Sequence, residues 1–231
     1  MNLLALDTSS NACSVALQVG ENIEVAHVVK PREHTAILIP MIEAILRDAR
    51  MELADLDGIV LGNGPGSFIG MRIAASVAQG MAFGVGLKIV PVSSLAAIAA
   101  ETFAAHDGSR VLVAQDAHMN EVYLVSFVRD EEGLPMAEGE VRLHKVTERL
   151  GRNIDESDLL AAGAGWQRYP EFLEINEQVR NGWVDILYPN ARFLLGLGRR
   201  DWNAGRAILP DEVVPEYVRM QVAARPDSRK S

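Results

Sequence analysis

The chain opens with Leu3-Leu4-Ala5-Leu6-Asp7-Thr8-Ser9-Ser10-Asn11, a short apolar run that ends in a cluster of turn-forming residues. The apolar run predicts a buried strand, and a second strand over residues 13–19 completes a hairpin. The same features return over residues 111–125, where Asp116 takes the place of Asp7 between two strands. A unit of strand, aspartate, turn and strand therefore occurs twice.

A second pair of matching segments favours an internal duplication. Residues 59–64 form a strand pattern running into a Gly-x-Gly turn, and residues 160–165 have the same form. Because both pairs occur in the same order at nearly the same spacing, we predict an α/β protein with two duplicated lobes, 1–108 and 109–231. The alternative is that any α/β chain offers such strand–turn pairs. Whether the last segment packs back on the first lobe stays open.

The two predicted turns carry groups that suit a phosphate ligand. Facing hairpins of this kind, with glycine turns that open helices, form the nucleotide cleft of the actin, Hsp70 and sugar-kinase group. Turn N–H groups and hydroxyls can hold phosphate, and an aspartate can hold Mg²⁺. That group usually places glycine beside the aspartate, which this chain does not, so the alternative is that both aspartates simply cap turns. The predicted vestigial nucleotide-binding residues are Asp7, Thr8, Ser9, Gly64, Gly66 and Asp116.

The most specific motif is the glycine loop Gly62-Asn63-Gly64-Pro65-Gly66-Ser67-Phe68-Ile69-Gly70-Met71-Arg72, which follows a strand and opens a helix. Such geometry suits an anion at a helix N-terminus. The loop lacks both the Gly-Lys-Ser/Thr ending of a P-loop and the spacing of a dinucleotide fold. A second interpretation is that the glycines permit a sharp turn and close helix packing. Both interpretations remain open.

Composition narrows the class of protein. The chain has 231 residues, of which 48% are hydrophobic, and a net charge of −9, which disfavours nucleic-acid binding without a more basic partner. Cys13 is the single cysteine, so no internal disulfide forms. The N-terminus lacks a signal-peptide pattern, and no stretch approaches the apolar length of a membrane span. We therefore expect a cytoplasmic location and no membrane association.

Two predicted helices carry more apolar and small residues than one sheet face needs. The helix over residues 34–50 has apolar residues three and four apart, and the helix after the glycine loop has alanines at the same spacing. Helix–helix association with a partner would use such faces, whereas the alternative is that both helices are buried against their own sheet. The predicted interface residues are His34, Ile37, Leu38, Met41, Ile42, Ile45, Arg72, Ala75, Ala78 and Gln79.

Nearly the whole chain resembles the TsaB family, also called YeaZ. The family's Gly-Pro-Gly-Ser-Phe-Thr-Gly signature is similar to residues 64–70, with Ile69 where threonine is usual. This departure removes a hydroxyl and favours a structural role for the loop. The other matching segments are Leu4-Ala5-Leu6-Asp7-Thr8-Ser9, Cys13-Ser14-Val15-Ala16-Leu17, Arg32-Glu33-His34, Ala78-Gln79-Gly80-Met81-Ala82, Val92-Ser93-Ser94-Leu95-Ala96 and Pro215-Glu216-Tyr217-Val218-Arg219.

The resemblance implies a two-lobed actin/Hsp70-like fold and a non-catalytic subunit of the complex that makes N6-threonylcarbamoyladenosine in tRNA. In that complex TsaD transfers the threonylcarbamoyl group to the adenosine 3′ of the anticodon in tRNAs that read codons beginning with A. TsaB-like proteins pair with TsaD through their first two helices, and the ATPase TsaE regulates the assembly. The complex uses ATP, tRNA is held mainly by TsaD, and this chain is expected to need no cofactor.

Three alternatives are weighed against this expectation. A metalloprotease-like hydrolase is disfavoured because the catalytic relative carries a His-x-x-x-His metal pair, whereas no two of the five histidines here are four residues apart. No metal ligands are predicted, and no catalytic residue is predicted because no nucleophile–base arrangement is visible. A small-molecule kinase is disfavoured because neither turn aspartate has a neighbouring glycine. The third alternative is a homodimer that uses the same helices when TsaD is absent.

Overall fold

The structure, a computed structural model, describes residues 1–151 and 158–218 as a mixed α/β protein with two five-stranded sheets. Arg219, the last residue of one matching segment, lies outside the described residues. The strand order of the first sheet is β3-β2-β1-β4-β5, and that of the second is β10-β6-β7-β8, with β9 also paired to β7. The strands are β1 (Asn2–Asp7), β2 (Ala12–Val19), β3 (Asn22–Val29), β4 (Gly58–Gly62), β5 (Lys88–Val92), β6 (Arg110–Asp116), β7 (Glu121–Arg129), β8 (Pro135–Ala137), β9 (Arg142–Lys145) and β10 (Leu159–Ala162).

The two sheets repeat one pairing scheme. β1 and β2 form an antiparallel hairpin, and β4 lies parallel to β1 on its other side. Likewise β6 and β7 form an antiparallel hairpin, and β10 lies parallel to β6. The predicted strand–aspartate–turn–strand units are confirmed, because Asp7 and Asp116 each end the first strand of a hairpin.

Seven helices flank the sheets in the described residues, and the helices predicted from periodicity are confirmed. The helices that flank the first sheet create a layer of buried apolar side chains on each of its two faces. α1 and α2 cover one face of the first sheet, where they bury Leu4 and Leu6 of β1. α3 and α7 lie between the two sheets and bury Leu3 and Ala5 from the opposite face of β1. The helices are α1 (His34–Asp48), α2 (Phe68–Val85), α3 (Ser94–Ala105), α4 (Ala164–Arg168), α5 (Pro170–Ile175), α6 (Glu177–Arg180) and α7 (Ala191–Asn203).

β1 is buried on both faces, which explains its unbroken apolar sequence. The segment after α7 returns to the first sheet. Ile208 pairs with Ile89 at the outer edge of β5, Gln79 on α2 donates to the Pro210 carbonyl over 2.8 Å, and the Glu216 N–H donates to the Asn63 carbonyl. Residues 208–217 therefore cross the outer edge of β5, α2 and the glycine loop.

α2 corrects one expectation from the sequence. Within the described residues, it is a helix long and apolar enough to cross a membrane by length and composition alone, although no such stretch was expected. The core helix of a soluble protein passes the same test. Ala74, Ala78 and Ala82 are fully buried in the same core as Leu4 and Leu6, which accounts for the apolar composition of α2.

Candidate functional site

Asp7 lies in the interior, beneath the turn that follows β1. Its side chain is fully buried and accepts hydrogen bonds from the Ser9 N–H and hydroxyl, both at 2.8 Å, and from the Ser94 hydroxyl at 2.6 Å. Burial raises the pKa of Asp7, whereas these hydrogen bonds oppose the rise. The carboxylate therefore holds the turn together and joins it to the start of α3.

The glycine loop packs directly on this turn. The Ser67 N–H donates to the Ser9 carbonyl over 2.6 Å, and the Thr8 hydroxyl donates to the Gly70 carbonyl over 2.7 Å. A Cβ atom at Gly66 would overlap the Ser9 carbonyl, and one at Gly70 would overlap the Thr8 carbonyl. These two glycines are thus required by close packing of backbone on backbone. The geometry favours the structural interpretation of the loop.

A cleft of about 640 Å³ separates the turns of the two hairpins. Of the six predicted nucleotide-binding residues, Ser9 and Asp116 line it, whereas Asp7, Thr8, Gly64 and Gly66 do not. Two arginines and two histidines, one of them His34, also line the cleft. Its other polar lining residues include Asn11, Arg32, Gln115, His118, Gln167, Arg168 and Tyr188.

Asp116 caps its own turn as Asp7 does. Its Oδ1 accepts from the His118 N–H at 2.8 Å and from the Tyr169 hydroxyl at 2.9 Å, while its Oδ2 lies 3.4 Å from His118 Nδ1. Burial raises the pKa of the Tyr169 hydroxyl, and the nearby Asp116 carboxylate adds to the rise. Both aspartates therefore accept hydrogen bonds within their own turns, as the alternative interpretation expects. A role for either in nucleotide binding stays a prediction.

Six of the ten predicted partner-binding residues are buried inside the chain, His34 and five apolar residues, which corrects that part of the prediction. The five apolar residues contribute to the core between the first sheet and its two covering helices, so they are unavailable to a partner in this conformation. The physical reason is that α1 contacts β2, β3 and α2 together and therefore buries a wide apolar stripe. The five buried apolar residues are Leu38, Ile42, Ile45, Ala75 and Ala78.

An apolar groove between α1 and α2 remains open to solvent. Its volume is about 370 Å³, and its walls include His34, Arg72 and Ile73. Ile39 and Ile69 also line it, with side chains 50% and 71% exposed. We call this surface the α1–α2 face. The predicted interface set omitted both isoleucines, although Ile69 carried a signal, since an apolar residue replaces the usual threonine.

The other predicted interface residues described here do not lie together on one surface. Ile37 and Met41 line a separate groove of about 470 Å³ between α1 and β3. Arg72, which also borders the α1–α2 face, stacks its guanidinium 3.7 Å from the Phe68 ring centre and donates through Nε to the Tyr217 hydroxyl. His34 is buried, with Nε2 2.9 Å from the Ser10 carbonyl oxygen.

The side chains that metal or nucleophilic chemistry would need are dispersed or buried. Within residues 1–151 and 158–218 no group of three or more histidine, cysteine, aspartate or glutamate side chains could hold a metal ion. Burial raises the pKa of the Cys13 thiol to about 12, and the nearby Asp7 adds to the rise. Cys13 is thus a core residue of β2, with little thiolate near neutral pH.

Full-length relatives identify the family. The tRNA threonylcarbamoyladenosine biosynthesis protein TsaB of Haemophilus influenzae is 36% identical, and the match covers 96% of this chain and 95% of the relative. TsaB of Escherichia coli is 34% identical, with 96% of each chain covered. The chain belongs to the TsaB family. Its TsaB relatives are named for biosynthesis of the modified nucleoside.

A family model and a solved structure agree with this placement. The model described as TsaD, tRNA N6-adenosine threonylcarbamoyltransferase, matches residues 26–184. A structure of YeaZ from Pseudomonas aeruginosa superposes with a TM-score of 0.86 at 35% identity, covering 94% of this chain and 99% of that one. The TsaB-family chain thus shares a family model with the transferase while its full-length relatives carry the TsaB name.

Proposed function

We propose that this TsaB-family chain is a non-catalytic subunit that dimerises with TsaD and activates it in threonylcarbamoyl transfer to tRNA. The observation that carries the proposal is the α1–α2 face, where Ile39 and Ile69 expose apolar surface beside Ile73. Contiguous exposed apolar surface is typical of a protein–protein interface. The names of the relatives supply the pathway.

The exposed side of α2 suits close approach by another helix. Ile69, Ile73, Ser76 and Gly80 follow one another at three- and four-residue spacing, and a Cβ atom at Gly80 would meet no other atom within 4 Å. Glycine at an exposed helix position costs stability, so a partner that needs the space would explain its presence. The absence of a side chain there would let a TsaD helix lie against the backbone.

A non-catalytic role is consistent with the turn aspartates. Both accept hydrogen bonds within their own turns, so each has a structural role that needs no ligand. Under this proposal the chain itself needs no cofactor, ATP is used by other parts of the complex, TsaE acts through the assembled complex, and TsaD holds most of the tRNA. A cytoplasmic location stays a prediction.

The repeated pairing scheme supports a finer proposal about the fold. Each sheet contains a hairpin whose first strand has a parallel neighbour. We propose that the sheets belong to two duplicated lobes of the actin/Hsp70/sugar-kinase type, over residues 1–108 and 109–231. The cleft between the two hairpin turns would then correspond to the nucleotide cleft of that group.

An omission experiment tests the proposed function. TsaD, TsaE, the adenylate-forming enzyme, ATP, threonine, bicarbonate and unmodified tRNA are incubated with and without this chain. Modified nucleoside is measured by mass spectrometry after digestion, and TsaD binding by calorimetry. We expect modification to require the chain, and we expect Ile69→Glu and Ile39→Glu to abolish both readouts.

Two matched variants sharpen the test. Met136→Glu places the same charge on another exposed apolar residue, in β8 of the second sheet, and should leave TsaD binding unchanged. Asp116→Asn should leave modification intact. Equal modification without the chain would contradict the proposal, as would loss of activity with Asp116→Asn while TsaD binding is retained. Nucleotide hydrolysis by the isolated chain is expected to be negligible.

A further inference from the structure

The described part of the chain ends beside the α1–α2 face. The Tyr217 ring packs against Phe68, with ring centres 5.3 Å apart, and its hydroxyl accepts a hydrogen bond from Arg72 Nε at 2.9 Å. Arg72 also lines the α1–α2 face. Val218, the last described residue, packs against the core between the sheets. The chain is therefore held in place next to the border of an open apolar groove.

The sequence that follows suits an apolar groove if its backbone is extended. Residues 219–224 read Arg-Met-Gln-Val-Ala-Ala. Successive side chains of an extended segment point to opposite sides, so Met220 and Val222 would share one side. Arg219 and Gln221 would share the other side. Such a segment would offer apolar side chains to the protein and polar side chains to water.

The distance that this segment must cross is short. α1 and α2 pack against each other, and the axes of packed helices lie about 8–10 Å apart. Four extended residues span about 13 Å. A segment that starts at Arg219 beside α2 could therefore place Met220 and Val222 over the groove before it reaches α1.

Charge favours the α1–α2 face over the cleft as the place where this segment lies. Residues 219–231 contain four basic residues and one acidic residue, although the whole chain has a net charge of −9. Arg32 and Arg168 line the cleft and would repel a basic segment. Among the described residues that line the α1–α2 face, Arg72 is the single arginine and there is no lysine. The Arg72 guanidinium already contacts the Phe68 ring.

We propose that residues 219–224 lie extended across the α1–α2 face of the same chain and cover it until a partner displaces them. Met220 and Val222 pack between the exposed side chains of Ile39 and Ile69. The contact removes from water the apolar surface that the rest of the chain leaves exposed. The inference rests on the proposed function only in naming TsaD as the partner that displaces the segment.

A carboxylate on α1 gives the segment a direction across the groove. Glu43 is exposed and follows Ile39 by four residues, so the two side chains are neighbours on α1. Three extended residues beyond Val222 add about 10 Å, which brings Arg225 within reach of Glu43. An exposed ion pair contributes little stability. Its effect is to favour the direction from α2 towards α1.

A weak contact is sufficient because the segment belongs to the same chain. A short linker gives an effective concentration in the millimolar range, so a contact with a dissociation constant of about 0.25 mM would cover the face about four-fifths of the time. About one-fifth of the molecules would then be open to a partner. The apparent affinity of that partner is reduced by the same fraction, which is about fivefold. The segment thus lowers the affinity of the face without blocking it completely.

Paramagnetic broadening of methyl signals tests the contact on the full chain without TsaD. A nitroxide label on Ala224→Cys should broaden the methyl signals of Ile39 and Ile69. It should leave the signal of Ile175 sharp, because α5 packs on the outer face of the second sheet. The native Cys13 is buried and its thiol has a pKa of about 12, so the label attaches at position 224. Labelled chains mixed with isotope-enriched unlabelled chains should give no broadening, since the contact lies within one chain.

Charged substitutions in the segment test its effect on the partner. Met220→Glu and Val222→Glu should each remove the broadening and strengthen TsaD binding by about fivefold in calorimetry, because nearly all molecules become open. Gln221→Glu places the same charge on the polar side of the segment and should change neither measurement. Circular dichroism of each variant shows whether it is folded.

The two measurements distinguish this inference from the proposed function. If Ile69→Glu leaves TsaD binding intact, the proposed function is wrong about the face, whereas the broadening still decides whether the segment covers it. A labelled chain without broadening, or broadening that occurs only between different chains, would overturn the inference. Weaker TsaD binding with Met220→Glu would also overturn it, because the segment would then contribute to the complex and not compete with it.

Discussion

One helix offers two glycines for which the same substitution should have opposite effects on stability. At Gly70, a Cβ atom would overlap the backbone carbonyl of Thr8 and lie 3.2 Å from Ser67 Cβ. The Thr8 hydroxyl already ties this turn to the Gly70 carbonyl, so neither backbone can move freely. Overpacking of this kind typically costs 1–3 kcal/mol, and backbone overlap belongs at the upper end, so we expect Gly70→Ala to lower the free energy of unfolding by about 3 kcal/mol.

Gly80, near the middle of α2, has open space where a Cβ would be placed. Alanine there gains helix propensity with no clash, so Gly80→Ala should raise the free energy of unfolding by about 0.5–1 kcal/mol. Urea denaturation of both variants measures the two changes, provided that the transitions are two-state. A neutral Gly70→Ala would refute the claim that close backbone packing requires the glycines of the loop. A destabilising Gly80→Ala would refute the open surroundings assigned to this side of α2.

Three further measurements test other parts of the structure. Burial raises the pKa of Asp7 in the folded protein above its ordinary value of 3.8. The contribution of Asp7 to the free energy of unfolding is therefore complete below pH 3.8 and is lost as the pH rises through the folded-state pKa. Asp7→Asn should remove this part of the pH dependence, which urea titrations at different pH values measure. With a thiol pKa of about 12, Cys13 should react with a thiol reagent at pH 8 at the rate of global unfolding, and faster labelling would contradict its burial. Tyr217→Phe removes the hydrogen bond from Arg72 but keeps the ring contact with Phe68, so it should lower the free energy of unfolding by at most about 1 kcal/mol. Tyr217→Ala removes both contacts, so it should lower this free energy further and expose residues near 217 to proteolysis.

The sequence was informative wherever local chemistry decides the structure. The unbroken apolar run of β1 predicted a buried strand, which is confirmed, and the structure shows that the strand is buried on both faces. Asp7 and Asp116 predicted turns because aspartate side chains accept from the N–H two residues ahead, and both bonds are present at 2.8 Å. The short strands β8 and β9 were not predicted, because three or four residues carry too little periodicity to be recognised.

The sequence could not predict which residues of α1 are buried or which segment packs against the glycine loop. The apolar pattern of α1 is the same whether a residue faces the sheet or a partner, so Leu38 and Ile39 were indistinguishable although one is buried and the other half exposed. The requirement for Gly70 depends on the Thr8 carbonyl, which is far away in sequence. Nothing in the local spacing of the glycine loop shows which segment will pack against it.

The hydrogen bonds of the two turns also bear on whether the cleft could serve a nucleotide. Asp7 would have to give up three hydrogen bonds to reach a metal ion, and bonds to a charged group contribute about 1.5–3 kcal/mol each, so the cost is of order 4–9 kcal/mol. Asp116 would have to give up two hydrogen bonds, and it already lines the cleft with part of its side chain exposed. Any residual ligand binding should therefore depend on Asp116 and not on Asp7. Ile39 and Ile69 on α1 and α2 expose apolar surface outside the cleft, and for this reason the proposed function rests on the α1–α2 face and not on the cleft.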